Sequence, residues 1–486
     1  MYYKTIMRGV NMCNIIKISM DNASTTNNGL FQGWGTSLCW WAHRIGYSPV
    51  LTKKSAILFF SDEGLNLNIM RYNIGGGDDP THKHIKRTDS MIPGWMKYNE
   101  TSDNFIYDYD ADKNQLNVLK ECYNASGDND FVEVFSNSPP YFMCKSRCSS
   151  GGKDPTQNNL RDDCYDEFAK YLADVTEYIN NSLKIKVSSI SPMNEPDTDF
   201  WHYLSEKQEG CHFDPGESQN KIILKTACEI RSRGLNHIDI VASDETSTDK
   251  AINSYNLYND DVKKVVDRIS THTYGSDKIK ELGDLMKAEK RNLWMSETDW
   301  SSVSGEDAGE MGAGLWFAQK IIYDINNLSP SAWVIWLTID HHISRDGFMG
   351  NKDTGAPDIN NGYWGIAFAD HDNEEILLTK KYYCYGQFSR YIRPGDTILH
   401  TTNKSLGAYN KKDNKLTLVA VNDKNRKKQI TIDITDFKNN GIIEVIRTSG
   451  DMNSGENWAK VDEIVFNSPI ITLELKANSV TTFIIK

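Results

Sequence analysis

Apolar residues recur along this chain in short runs that stop at polar or Gly/Pro-rich turns, with helical spacing between them. Leu65 to Ile74 runs into Gly75-Gly76-Gly77, and Phe131 to Phe135 runs into Ser136-Asn137-Ser138-Pro139-Pro140. Val187 to Met193 ends at Asn194-Glu195-Pro196, and Ile238 to Ser243 at Asp244-Glu245. Arg268 to Tyr274 stops at Gly275, Asn292 to Ser296 at Glu297, and Ala332 to Leu337 at Thr338-Ile339-Asp340-His341-His342. The aromatic, Gly-punctuated stretch Leu30 to Trp41 reads as one more strand, with close backbone approach to a neighbour. Between them, Arg161 to Leu183 places Phe168, Tyr171, Leu172, Val175 and Ile179 at helical spacing. Glu217 to Arg233, Asp277 to Lys290 and Asp307 to Asn326 read the same way. Strands alternating with helices predict an α/β fold, a (β/α)8 barrel with long loops. A doubly wound open sheet is the alternative. It is weakened by the lack of a Gly-x-Gly-x-x-Gly turn after an early strand.

From about Ile392 the pattern changes to short strands with polar turns: Leu406 to Tyr409, Lys415 to Val421, Lys428 to Ile434, Ile442 to Thr448, Glu463 to Phe466, Ile470 to Leu475 and Ser479 to Ile485. That is an all-β module, read as a sandwich. Asn14 to Met20 alternates like a half-buried strand and has no partner in the barrel, so it is expected to join the sandwich. The expected division is an N-terminal segment 1–29 lending a strand to the sandwich, a barrel over 30–391 and a sandwich over 392–486.

Composition narrows the function. A net charge of −12 argues against nucleic acid, which needs basic patches, and disfavours an anionic polymer. A neutral substrate fits best. The chain holds 12 Trp and 23 Tyr, enough for large cores and for platforms that stack on sugar rings. No apolar run approaches a membrane span, and Met1 to Met20 shows no signal-peptide pattern, so a cytoplasmic location is expected for the chain as given. The nine cysteines stand at irregular spacings and form no disulfide framework. Thr81-His82-Lys83-His84, His341-His342 and Cys144-Lys145-Ser146-Arg147-Cys148 resemble metal ligands only superficially. The histidines lack the i, i+4 helical spacing, and the cysteines lack a second pair. No metal and no cofactor is expected.

The candidate chemistry sits at strand ends, where a parallel barrel places it. Pro196 cannot donate a ladder hydrogen bond and disfavours helix for Glu195, so the fourth strand stops with an amide and a carboxyl side chain. The seventh stops at Glu297. Two carboxylates across a barrel mouth are what glycosidic cleavage requires: one protonates the departing oxygen, the other attacks the anomeric carbon or activates water. The acid needs a pKa raised by burial and by its neighbour. Asn194 is placed to donate to a sugar hydroxyl. Arg71 is the cation expected to keep Glu297 ionised, Tyr274 a donor to the same carboxylate, and His272 a partner for a carboxylate or a sugar hydroxyl. Asn137, Trp40, Trp41 and Trp336 complete the expected substrate contacts, with core packing the alternative for Trp40 and Trp41. Trp201 and Trp300 are weaker candidates for stacking. Each residue alone has an ordinary structural reading: strand terminator, surface carboxylate, ion-pair partner, core histidine. Their placement at successive strand ends favours the catalytic one. Ser37 lacks a Gly-x-Ser-x-Gly setting, which argues against a serine hydrolase.

The runs Gly33-Trp34-Gly35-Thr36-Ser37-Leu38-Cys39-Trp40-Trp41-Ala42, Arg71-Tyr72-Asn73-Ile74-Gly75-Gly76, Met193-Asn194-Glu195-Pro196, Ser270-Thr271-His272-Thr273-Tyr274 and Ser296-Glu297-Thr298 give the chain its resemblance to glycoside hydrolase family 30. Lys380 to Ser389 resembles that family's exit from barrel to side sandwich. The resemblance implies a retaining enzyme with Glu195 as acid/base and Glu297 as nucleophile. It also implies a β-linked carbohydrate substrate, and a sandwich that takes strands from both termini. The Gly-Thr-Ser-Leu-Cys-Trp-Trp-Ala run is most similar to the endo-β-1,6-galactanase branch. Other branches act on xylan, β-1,6-glucan, glucosylceramide or β-fucosides, and an imported oligosaccharide is an alternative to a polymer. A catalytically silent carbohydrate-binding protein is the competing class, and the presence of both glutamates argues against it.

Overall fold

A computed structural model describes residues 15–99, 101, 102, 104–127, 130–299, 303, 305–353 and 364–486. Eight parallel strands close into a barrel in chain order: β1 (Gly33–Ser37), β2 (Ile69–Asn73), β3 (Phe131–Phe135), β4 (Val187–Ser191), β5 (Asp239–Glu245), β6 (Arg268–His272), β7 (Asn292–Thr298) and β8 (Ala332–Leu337). Closure runs through β1 and β8, with Gly33 opposite Ala332 and Trp34 opposite Trp333. The eight strands are those read from the sequence. Their near-continuous apolar runs fit strands covered on both faces, because a parallel barrel packs side chains inside and helices outside. β1 is buried at every position. The close approach signalled by its glycines is real. A Cβ on Gly33 would sit 1.9 Å from Asn68 Oδ1, and its φ of +131° is one that other residues avoid.

The helices cover the barrel by their apolar stripes. Tyr165–Glu177 buries Phe168, Tyr171, Leu172 and Val175, then widens into a π-helical turn at Tyr178–Ser182. Glu217–Ser232, Ile279–Ala288 and Met311–Leu328 follow the predicted spacing within a few residues. Among the described residues, no helix is long and apolar enough to cross a membrane.

Two further sheets share one hydrophobic core. Thr397–Leu399, Ser405–Asn410, Lys415–Asn422, Ser479–Ile485, Gly441–Ser449 and Glu456–Phe466 form a six-stranded antiparallel sheet in that spatial order. Facing it, Ile15–Lys17 pairs in parallel with Lys428–Asp433, which pairs antiparallel with Ile470–Leu475. Ile18, Leu418, Ile432, Val445, Leu473 and Phe483 fill the space between. Helix Lys380–Ser389 bridges the modules. Tyr385 donates to the carbonyl of Gly35 in the barrel, and Gln387 to Thr448 in the large sheet. The hydrophobic pattern gave no sign of the hairpin Met96–Asn99/Asn104–Tyr107 or of the small sheet Ile339–Ile343, Ala367–Asp370 and Glu375–Leu378. Both are short, and both decorate the barrel mouth, where turn chemistry rather than periodicity sets the backbone.

Candidate active site

Arg71, on β2, is the hub beneath the barrel mouth and is fully buried. Its Nε donates to Glu133 Oε1 at 2.9 Å, its Nη2 to Asp244 Oδ2 at 2.5 Å, and its Nη1 to Glu297 Oε2 at 3.2 Å. Glu133 also accepts from Ser189, 2.9 Å away, and from Arg268, whose guanidinium lies over the Trp294 ring. Ser296 donates to Asp244 at 2.6 Å. The result is a closed lattice of charges in which every carboxylate has a donor. Burying such groups is tolerable only with partners of this kind.

Above the lattice stand the two glutamates. Glu195 follows β4 with φ +47°, a left-handed conformation that is costly for a side-chain-bearing residue and consistent with the helical region being closed to it by Pro196. Its carbonyl is pinned by Thr198 Oγ1 at 2.9 Å and Trp201 Nε1 at 3.0 Å, and its N–H donates to the backbone carbonyl of Asp244 at 2.9 Å. Its carboxylate lies 3.0 Å from His272 Nδ1. Glu297, near the end of β7, accepts from Arg71 and from the Tyr274 hydroxyl at 3.3 Å, and His272 Nδ1 is 3.5 Å away. One oxygen of Glu195, one of Glu297 and a His272 nitrogen all lie within 4.8 Å of one another.

Burial sets the protonation here. It pushes Glu297 up to about 7, because the nearby His272 and Arg71 charges only partly offset desolvation while Glu195 adds to the rise. Arg71 favours the ionised form of Glu297, as expected of it, but shares its charge with Glu133 and Asp244. Burial opposes a charge on His272, but Glu297, Asp244 and Glu195 overcome that and hold it protonated, up to about 10. Burial likewise opposes Asp244, yet Arg71 and His272 keep it well below the usual carboxylate range. Tyr274 is pushed far up by burial and remains a phenol donor.

A cleft of about 360 Å³ opens over the pair, lined by Trp40, Asn194, Glu195, Phe200, Trp201, Ser205, Lys207, Gln208, Thr246, Tyr274, Glu297, Trp336 and Trp364. Trp40 and Trp336 meet edge to face at 5.1 Å, and Arg87 covers the Trp40 ring at 4.3 Å. Several expected substrate contacts are corrected. Arg71 and His272 have no exposed surface and reach the cleft only through the carboxylates they hold. Trp41 is fully buried: its ring packs on Phe59 and its indole donates to Ser37. Trp40 adopts φ +67° before the helix that begins at Trp41, which sends adjacent rings to opposite sides. Asn137 is buried, with its amide nitrogen 3.9 Å from Cys39 Sγ, and does not line the cleft. Trp300 lies outside the described residues. Sequence reasoning missed Glu133, Asp244, Lys207 and Trp364. Asp244 alone left a signal, as a carboxylate at a strand end.

Residues 15–288 match the family model described as O-Glycosyl hydrolase family 30. The chain belongs to that family. It is 30% identical to an endo-beta-1,6-galactanase of Hypocrea rufa, over 94% of this chain and 92% of that protein. It is also 26% identical to an exo-beta-1,6-galactobiohydrolase of Bifidobacterium longum, over 70% of this chain but 28% of that longer protein. Among solved structures, the catalytic domain of a family 30 xylanase C from Talaromyces cellulolyticus superposes with a TM-score of 0.68 at 17% identity, covering 97% of this chain and all of that one. An endo-beta1,6-glucanase superposes with a TM-score of 0.67 at 16% identity, over 97% and 94%. This family 30 protein is a glycoside hydrolase, and the barrel with its side sandwich is the fold those structures share.

Proposed function

We propose that this glycoside hydrolase is an endo-β-1,6-galactanase acting by retaining double displacement, with Glu297 as nucleophile and Glu195 as acid/base. The observation that carries the mechanism is the closeness of the two carboxylates, with one oxygen of each within 4.8 Å. Retaining pairs stand about 5–5.5 Å apart, whereas inverting pairs need about 6.5–9.5 Å to admit a water. The division of roles follows from their partners. Glu297 receives two donors that stabilise an ionised oxygen, Arg71 and Tyr274. Glu195 sits on a pinned backbone facing the cleft, with His272 beside it.

In the first step Glu195 gives its proton to the departing glycosidic oxygen while Glu297 attacks the anomeric carbon, forming a glycosyl ester. Esterification removes one charge from the pair, so Glu195, now ionised, takes a proton from water. The resulting hydroxide equivalent attacks the same carbon from the opposite face and releases Glu297. Arg71, Tyr274 and His272 hold the oxygens in place throughout, which is how a preorganised site lowers the barrier. Asn194 is placed to bind the hydroxyl next to the reacting carbon, and its Oδ1 makes no hydrogen bond within the protein. Trp40, Trp336 and Trp364 offer ring faces and edges to sugar units.

The choice of β-1,6-galactan rests on the 30% identity over nearly the full length to an endo-beta-1,6-galactanase. The test is a panel of β-1,6-galactan, β-1,6-glucan, xylan and aryl β-glycosides with product lengths mapped. Mixed internal fragments from galactan alone are expected. Preferred cleavage of another polymer, or release of a single disaccharide from one end, contradicts the galactanase reading.

A further inference from the structure

The loop that follows β2 and the loop that follows β3 converge about a second cluster, remote from Glu195 and Glu297. Asp78, His82 and His84 come from the first, and Cys148 from the second. One donor atom from each lies within 4.8 Å of all the others. Asp78 Oδ2 is 3.0 Å from His82 Nδ1 and 3.5 Å from His84 Nδ1. Cys148 Sγ is 3.7 Å from His84 Nε2. The ligand-to-ligand edge of a tetrahedral zinc site is about 3.3–3.7 Å for bonds of about 2.0–2.3 Å; one His84 nitrogen would bind, and with one atom from each residue the four donors lie within 4.8 Å of one another, so they close by about an ångström to surround one ion. The His84 side chain is 9% exposed, and its Nδ1 makes no hydrogen bond. A buried polar nitrogen aimed into such a cluster calls for a partner.

We propose that Asp78, His82, His84 and Cys148 form a binding site for one first-row divalent ion, with Zn²⁺ the best match. The donor set decides the class. Two imidazoles, a thiolate and a carboxylate suit zinc, whereas magnesium and calcium take oxygen ligands. The helical spacing that the His82/His84 pair lacks is not required here, because the ligands sit on loops.

The ion has a structural consequence for the cleft. Asp78 Oδ1 accepts from the Ser149 N–H at 2.9 Å, and the Ser149 carbonyl accepts from Gly210 at 2.8 Å. Ser150 Oγ, 3.0 Å from His84 Nε2, accepts from the Ser205 N–H at 3.1 Å. The segment from Trp201 to Gly210, which lends Trp201, Ser205, Lys207 and Gln208 to the substrate cleft, thus hangs on the two loops that the ion joins. The metal positions a wall of the cleft and takes no part in bond cleavage.

The test uses the full chain, stripped with a chelator and then titrated with Co²⁺ and Zn²⁺. One equivalent of Co²⁺ is expected to give a thiolate-to-metal charge-transfer band and tetrahedral d–d absorption, and Zn²⁺ to displace it and raise Tm. Cys148→Ser should abolish the charge-transfer band, and Cys228→Ser, at an exposed thiol, should leave it intact. His82→Ala, at a partly exposed position, should weaken Zn²⁺ by more than the roughly 10–100-fold that loss of an outer-shell partner costs. The absence of stoichiometric binding, or of a thiolate band in the unaltered protein, overturns the site. So does Zn²⁺ affinity unchanged in His82→Ala, which remains decisive if Cys148→Ser fails to fold.

Discussion

The floor and the rim of the barrel mouth are built on opposite principles. In the floor, Arg71, Glu133, Asp244, Arg268 and His272 have at most 1% of their surface exposed, and each charge is met by others on different strands. In the rim, Trp40, Trp201, Trp336, Trp364 and Lys207 come from loops and strand ends and face an open cleft. The floor fixes where two carboxylates stand and how readily Glu297 ionises. The rim decides what can lie over them. Changes in the floor should therefore cost turnover or folding, and changes in the rim should cost binding.

The largest effect belongs to the residue where the two regions meet. Glu297→Gln removes the nucleophile without changing its shape and should lower kcat on galactan by roughly 10⁴-fold or more, with the fold intact by circular dichroism. Rescue of Glu297→Ala by azide, giving a glycosyl azide of inverted configuration, would sharpen the assignment.

Glu195→Gln should cost about 10²–10⁴-fold on galactan and much less on aryl glycosides with good leaving groups, which need little proton assistance. It also tests what raises Glu297. In the unaltered enzyme, activity on activated glycosides should rise as pH rises through about 7, because Glu297 must ionise to attack. In Glu195→Gln the neighbouring charge is gone, Glu297 drops, and the rising limb should move to lower pH. A limb that stays in place in the variant puts the titration elsewhere.

Arg71→Met leaves three buried carboxylates without their shared cation and should destabilise the fold by about 3–5 kcal/mol in a denaturant titration. Smallest is the rim. Trp336→Ala should raise KM about tenfold, some 1.4 kcal/mol, with little loss of Tm. Trp41→Ala is the counterpart, only one residue from a cleft tryptophan. It should cost about 3–5 kcal/mol of stability and leave KM unchanged.

The same division explains what could be read from the sequence. The barrel strands are strongly periodic and end at breakers, so Glu195 and Glu297 stand out without any knowledge of loops. Arg71 and Tyr274 follow because each falls within or just after a barrel strand. Glu133 did not stand out: it sits mid-strand in Phe131–Phe135, where an alternating pattern reads as an outward polar residue, yet the barrel turns it inward to meet two arginines. Trp40 and Trp41 were inseparable because their difference is one backbone torsion. Lys207, Trp364 and the His82–His84–Cys148 cluster depend on loop paths that no periodicity encodes.

The central claim is that Glu195 and Glu297 act as a retaining pair. The most direct measurement is the anomeric configuration of the first product, followed by proton NMR before mutarotation. The β-anomer appearing first, with α growing in later, is the predicted result. An α-anomer released first would mean direct attack by water and would contradict the account.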